Sequence, residues 1–208
     1  MFPGLRRLWV AGLVLAGISG CATTSSLSNM WKDPTYQLGP MKSVLVISMK
    51  PDPARRRLWE DGLATKIAKY GTTATPSYRL FPDRLPDTAA VVEAVRRDGY
   101  DGVLVISKAD TTSYTNYVPG YTDVEPVARY NPWTYSYQTS YISVTQPGYE
   151  ESGRIFRHEI HLWTTKEGGR MVWAATGESI NPASSEDVLK ECEKLVLPQL
   201  SHAGFIGK

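Results

Sequence analysis

The chain has 208 residues with 23 Lys plus Arg against 21 Asp plus Glu, and two of those basic residues, Arg6 and Arg7, stand at its extreme N-terminus. The remainder is formally neutral, so no basic excess argues for a nucleic-acid partner. Two cysteines, Cys21 and Cys192, allow at most one disulfide, which makes a hydrophobic core the main support of the fold.

Arg6 and Arg7 precede Leu8 to Ile18, an apolar run of 11 residues, and Ile18-Ser19-Gly20-Cys21 follows. A charged region, a short apolar region and a small-residue site in that order predict an export signal over residues 1–20. The run is shorter than the roughly 20 residues a spanning helix needs. Ile18-Ser19-Gly20 before Cys21 resembles the lipobox of bacterial lipoproteins. The resemblance implies cleavage between Gly20 and Cys21, a diacylglycerol on the Cys21 thiol and a further acyl chain, such as palmitate, on its amine. Several chains hold firmly where one is marginal. With Cys21 acylated, no disulfide is left for Cys192. The Arg6-Arg7 pair alone does not specify twin-arginine export.

Residues 21–42 are expected to be the lipidated N-terminus and its tether, with Ser/Thr-rich residues 22–30 (ATTSSLSNM) giving ~15–25 Å of reach. A single domain then spans 43–208. Ser43 to Met49 (SVLVISM) is a β-branched apolar run, expected as a strand buried on both faces. Asp52 and Pro53 start a helix whose stripe is Trp59, Leu63, Ile67 and Tyr70, and Gly71 ends it. Within that helix Arg56 and Glu60, and Arg57 and Asp61, are spaced for ion pairs on a solvated face. Thr73 to Leu80 reads as a more exposed strand, Asp87 caps a helix with Val91, Ala94 and Val95 inward and Gly99 behind it, and Gly102 to Ser107 is another buried strand.

Ser113 to Ser152 departs from this alternation of strands and helices, and it holds eight of the twelve tyrosines, Trp133, and Pro119, Pro126, Pro132 and Pro147. It is too long for a connector and reads as an aromatic insert. Trp133, Tyr135, Tyr137 and Tyr141 fall at near-alternate positions, so one strand face is expected to carry them as a partner-binding strip. The competing reading is a covering for the sheet. Arg154 to Thr165 and Arg170 to Ile180 form a hairpin around Lys166 to Gly169, and Ser184 or Ser185 starts a last helix with Leu189, Cys192, Val196 and Leu200 on one stripe, kinked or ended at Pro198. The order predicts an α/β three-layer sandwich with a mixed β-sheet, built from a parallel β-α-β-α-β start, a C-terminal antiparallel hairpin and a final helix.

No motif assigns chemistry. His158 and His161, three apart on a strand, point to opposite faces and fail the four-residue helical spacing of a zinc pair; they are expected as polar positions of an edge or surface strand. Cys192 lies on an apolar stripe and is expected to be structural. No G-x-S-x-G elbow and no glycine-rich phosphate loop occurs in the sequence. Neither a cofactor nor a metal is therefore expected.

Trp31-Lys32-Asp33-Pro34, Arg56-Arg57 with Glu60-Asp61 and Leu63, Ser77-Tyr78-Arg79-Leu80, Tyr117-Val118-Pro119-Gly120, Leu162, Val172-Trp173 and Gly204-Phe205-Ile206 together resemble a group of small proteobacterial lipoproteins without assigned function. The element order is similar, more distantly, to the TolB N-terminal and curli-secretion-lipoprotein type of α/β domain; Thr164-Thr165 departs from the acidic turn usual there. The resemblance implies an outer-membrane lipoprotein facing the periplasm, Ala22 standing where aspartate would mark inner-membrane retention. The expected function is non-catalytic: a binding or assembly module of the cell envelope whose partner is a protein or cell-wall polymer. An envelope hydrolase is the alternative.

Overall fold

A computed structural model describes residues 24–208; Gly20, Cys21 and the export signal lie outside that range. Six strands form one sheet, in the order β1 (Thr24–Lys32), β8 (Arg170–Ile180), β7 (Tyr149–Thr164), β4 (Gly102–Val118), β2 (Ser43–Ser48) and β3 (Thr73–Pro76). β2 (Ser43–Ser48) leads through helix α1 (Pro53–Ala68) to β3 (Thr73–Pro76), and β3 through α2 (Thr88–Asp98) to β4 (Gly102–Val118), with β2 parallel to both. β7 (Tyr149–Thr164) and β8 (Arg170–Ile180) add antiparallel strands, and α3 (Ser185–His202) closes the domain. The mixed sheet and its helices are the α/β arrangement expected from the sequence.

Local chemistry explains the boundaries. The Arg55 amide donates to Asp52 Oδ1 at 2.7 Å, and Pro53 occupies a first-turn position that needs no donor. The Ala90 amide donates to Asp87 Oδ1 at 2.8 Å, and Gly99 takes the left-handed conformation, φ +70°, that ends α2. α1 and α3 pack on one face of the sheet, where Trp59, Leu63, Ile67, Leu189, Val196 and Leu200 meet Val44, Val46, Leu104, Ile106, Ile160 and Leu162. On the other face Val91 and Val95 of α2 cover Leu45, Ile47 and Val103.

Several expectations are corrected. Thr24–Lys32, expected within the tether, is edge strand β1, antiparallel to β8 from Thr24↔Ile180 to Lys32↔Trp173. Its hydroxyl side chains suit a strand with one wet edge; Ser25 Oγ donates to Ser179 Oγ at 3.0 Å. Only Ala22 and Thr23 separate Cys21 from this strand. The strand expected over Thr73 to Leu80 stops at Pro76, and Ser77–Arg79 is a 3-10 turn. Pro198 does not end α3: the helix runs on to His202 because Val196, Leu197 and Leu200 are buried around the proline. Packing there outweighs the helix-interior cost of ~3 kcal/mol.

Arg56 and Glu60, expected on a solvated face, lie in the core at 4 % and 0 % exposure. Arg56 Nε donates to Glu60 Oε1 at 3.0 Å, and its other nitrogens donate to the carbonyls of Phe81 and Arg84 and to Ser77 Oγ. Glu60 also accepts from the Ser48 and Tyr78 amides and from Ser77 Oγ. The second expected pair, Arg57 with Asp61, is replaced: Asp61 accepts from the Tyr78 hydroxyl at 2.9 Å, and Arg57 lies over the Tyr78 ring.

Cys192 is half-buried and packs against the main core beside Leu189 and Val196. Burial foremost, then the Glu193 charge, pushes its thiol up to about 12, so little thiolate exists at neutral pH. Cys192→Ala should cost about 1 kcal/mol through the small cavity left. Native chain should react with a thiol reagent far more slowly than unfolded chain; rapid native labelling would show the thiol accessible and reopen a redox role.

Candidate binding arm

The aromatic insert is a regular structure. β4 does not end at Ser107 but continues to Val118, paired with β7 out to Val118↔Tyr149. β5 (Tyr121–Asn131) and β6 (Ser136–Gln146) then pair from Tyr121↔Gln146 to Asn131↔Ser136 in the same register. Pro119-Gly120 and Pro147-Gly148 lie opposite each other at the junction, where the prolines lack ladder donors. The four strands are thus one hairpin arm.

The arm leaves the domain where its neighbours stop. β8 ends at Ile180, opposite Ile155, while β2 pairs with β4 only as far as Ile106. Asn181, at φ +48°, closes the exit: its amide donates to the Arg154 carbonyl, its Oδ1 accepts from the Arg154 amide at 2.7 Å, and its Nδ2 donates to the Tyr114 hydroxyl. A Cβ on Gly153 would stand 2.5 Å from that hydroxyl, so a larger residue here would have to push the Tyr114 ring aside. Beyond this point each strand runs about 19 residues, or ~60–65 Å. Thr24 also pairs with Ile180, so the N-terminal strand begins at the edge of the sheet from which the arm projects.

The faces of the arm differ. In the pleat, Val118, Val124, Ala128 and Tyr130 share a face with Tyr137, Tyr141 and Tyr149, and no charged residue falls on that face between Val118 and Tyr149. Asp123, Glu125 and Arg129 are on the opposite face. Tyr130 and Tyr137 pack with ring centroids 5.3 Å apart.

The four expected site residues are therefore only partly brought together. Tyr137 and Tyr141 share one face of β6. Trp133 and Tyr135 belong to the turn at the tip, where the Trp133 amide donates to Asn131 Oδ1 at 3.0 Å and Tyr135 has φ +50°. Alternation in sequence gives one face only along an unbroken strand, and here residues 132–135 are turn, with β6 starting only at Ser136. Exposure is high at all four: 92 % for Trp133, 85 % for Tyr135, 76 % for Tyr137 and 71 % for Tyr141. Rings this open to solvent do not cover the six-stranded sheet.

His158 corrects another expectation. It sits on β7, between β4 and β8 and not at an edge, and is 6 % exposed. Its ring stacks on Trp59 with centroids 5.2 Å apart, and Lys50 Nζ lies 3.5 Å from Nε2 and 4.2 Å from the Trp59 ring centre. Burial foremost, then Lys50 and Lys108, lowers its pKa to about 4, so the imidazole is neutral at ordinary pH. Burial and Arg55 likewise hold Lys50 below its ordinary value. The Trp59 indole donates to Ser185 Oγ at 3.0 Å. Ser48 Oγ is buried without a hydrogen-bond partner among the described residues. Among those residues no carboxylate hydrogen-bonds the imidazole, and no group of three metal-ligating side chains occurs. His161 is on the opposite face of β7, as the spacing requires.

No family model matches this chain, and no curated protein matches it in sequence. Among solved structures it is similar to the PelC dodecamer from Paraburkholderia phytofirmans, at 14% identity over 88% of this chain and 99% of that one, with a TM-score of 0.44. A lipoprotein from Neisseria meningitidis matches at 15% identity over 77% of this chain and 98% of that one, with a TM-score of 0.36. Likeness at this level supports no transfer of function. No described helix is long and apolar enough to cross a membrane.

Proposed function

We propose that this chain is a non-catalytic binding module of the bacterial cell envelope, anchored by lipid on Cys21 at the periplasmic face of the outer membrane, with the β4–β7 arm as its contact element. The carrying observation is the arm itself. A two-stranded ribbon has little stability of its own in water, and this one holds exposed aromatic rings at its tip and along one face. Tyrosine and tryptophan give large contact area at low entropic cost. The partner on this reading is an envelope protein or cell-wall polymer met at the tip. A photo-crosslinking residue at Thr134, in the tip turn beside Trp133 and Tyr135, in intact cells is expected to give a discrete adduct that is absent when the crosslinker stands at exposed Leu58 of α1. Equal, diffuse labelling from both positions would overturn the reading.

The anchor has its own test. Cys21→Ser removes the thiol that takes the lipid, so incorporation of a fatty-acid analogue should fall to background and uncleaved precursor should accumulate. Label retained on the variant, or mature protein sedimenting with inner-membrane vesicles, would contradict the assignment.

A further inference from the structure

We propose that the arm pairs edge to edge with the arm of a second copy of this chain, the free edge of β6 adding antiparallel to the free edge of β5 in the next molecule. Among the described residues β5 and β6 pair only with each other, so each presents an outer row of backbone groups along 11 residues, complete in β6 and lacking one donor in β5 at Pro126. Soluble proteins normally blunt such edges with lysine, proline, bulges or a covering element. β6, SYQTSYISVTQ, has no charged residue, no proline and no glycine, and the register of β5 with β6 is unbroken. No lysine occurs between Lys108 and Lys166. An exposed strand of this composition is completed by another strand.

The edges also select the occupant. β5 carries Asp123, Glu125 and Arg129. Joining two β5 edges would set acidic residues near their copies, which is unfavourable, whereas β6 brings no charge to the junction. The arm leaves the sheet at the edge where β1 begins. Copies anchored through Cys21 on one membrane therefore extend their arms in the same direction. Side by side in that orientation, like edges would pair parallel, while β6 against β5 pairs antiparallel, the more stable ladder. The same placement keeps the tyrosine face of one arm continuous with that of the next. The inference rests on the arm as contact element and on the Cys21 anchor, but not on what the tip meets.

The test uses full-length lipidated protein in detergent, with Cys192 as the unreactive background. Chains bearing Ser140→Cys in β6 are mixed with chains bearing one cysteine at Asp123, Glu125, Val127 or Arg129 in β5, then oxidised. Mixed disulfide dimers are expected at one or two neighbouring β5 positions, with Ser140→Cys chains alone giving none. Light scattering should show an oligomer that Ser140→Lys with Ile142→Lys returns to monomer, the circular dichroism spectrum being unchanged. A monomer at tens of micromolar with no mixed disulfide at any position overturns the proposal. So do disulfides confined to Ser140→Cys chains alone, or monomeric arms that become protected only on vesicles of outer-membrane lipid. Serine at Trp133, Tyr135 and Tyr137 should leave these disulfides in place, which separates failure of self-pairing from failure of tip recognition.

Discussion

Arg56→Ala should destabilise the domain by about 3–5 kcal/mol, one of the largest effects a single substitution here can have. The guanidinium neutralises Glu60 and ties the carbonyls of Phe81 and Arg84 to α1. Without it, Glu60 keeps its bonds from Ser48, Ser77 and Tyr78 but becomes a buried carboxylate with no counter-charge. Removing one member of a buried pair costs far more than removing both, so Arg56→Met combined with Glu60→Leu should recover part of the loss. Arg57→Ala, one residue away and exposed, should change stability by less than about 0.5 kcal/mol. At about 2–4 °C per kcal/mol for a domain of this size, Arg56→Ala should lower the thermal midpoint by roughly 10 °C. Urea unfolding of the three variants checks the series; a loss below about 1 kcal/mol for Arg56→Ala would show the network to be dispensable.

Serine at Trp133, Tyr135 and Tyr137 together should abolish the crosslinked adduct while moving the thermal midpoint by no more than about 2 °C. The rings stand at the far end of the arm, remote from the core that sets the unfolding transition. Among the described residues their aromatic packing is Tyr137 on Tyr130, whose loss weakens the ribbon locally by about 0.5–1.5 kcal/mol. Recognition by exposed aromatics depends on those same rings, and a few such residues carry most of an interface's energy. The measurement pairs crosslinking yield in cells with calorimetry of the purified variant. An adduct that persists at normal yield would move the contact off the tip, and a variant that unfolds or aggregates would show the rings to be structural.

Much of the domain was legible because its signals are local or periodic. Asp52-Pro53 and Asp87 with Gly99 mark helix ends through side chains that reach only two or three residues. Val44 to Ile47 and Val103 to Ile106 read as buried strands because β-branched runs have few other places to go. Ile18-Ser19-Gly20-Cys21, on which the proposed lipid anchor rests, is a feature of the sequence alone. Arg56 and Glu60 were legible in principle: together with Trp59, Leu63 and Ile67 they follow the spacing of the buried stripe. Their ion-pair spacing carries no information on depth, and only the loop folded over them, through Ser77, Phe81 and Arg84, makes that face interior.

The arm, by contrast, is a product of long-range pairing. Strand periodicity shows in a sequence when one face is buried and the other wet, because burial separates apolar from polar residues. Neither face of β5 or β6 is buried in this chain, so apolar residues are not confined to one of them: Val124 and Ala128 lie on one face, Val127, Ile142 and Val144 on the other, and no apolar alternation marks the strands. Composition was enough to mark the region as aromatic and punctuated by proline, but not to choose between an exposed strip and a covering for the sheet. Its register, the two proline-glycine pairs meeting at the junction, and the removal of Trp133 and Tyr135 from the strand to the tip depend on partners increasingly distant in sequence, from Asn131↔Ser136 at the tip to Val118↔Tyr149 and Thr112↔Ile155 at the root. The same holds at the other end: Thr24–Lys32 reads as a tether by composition and becomes a strand because β8 offers it an unpaired edge.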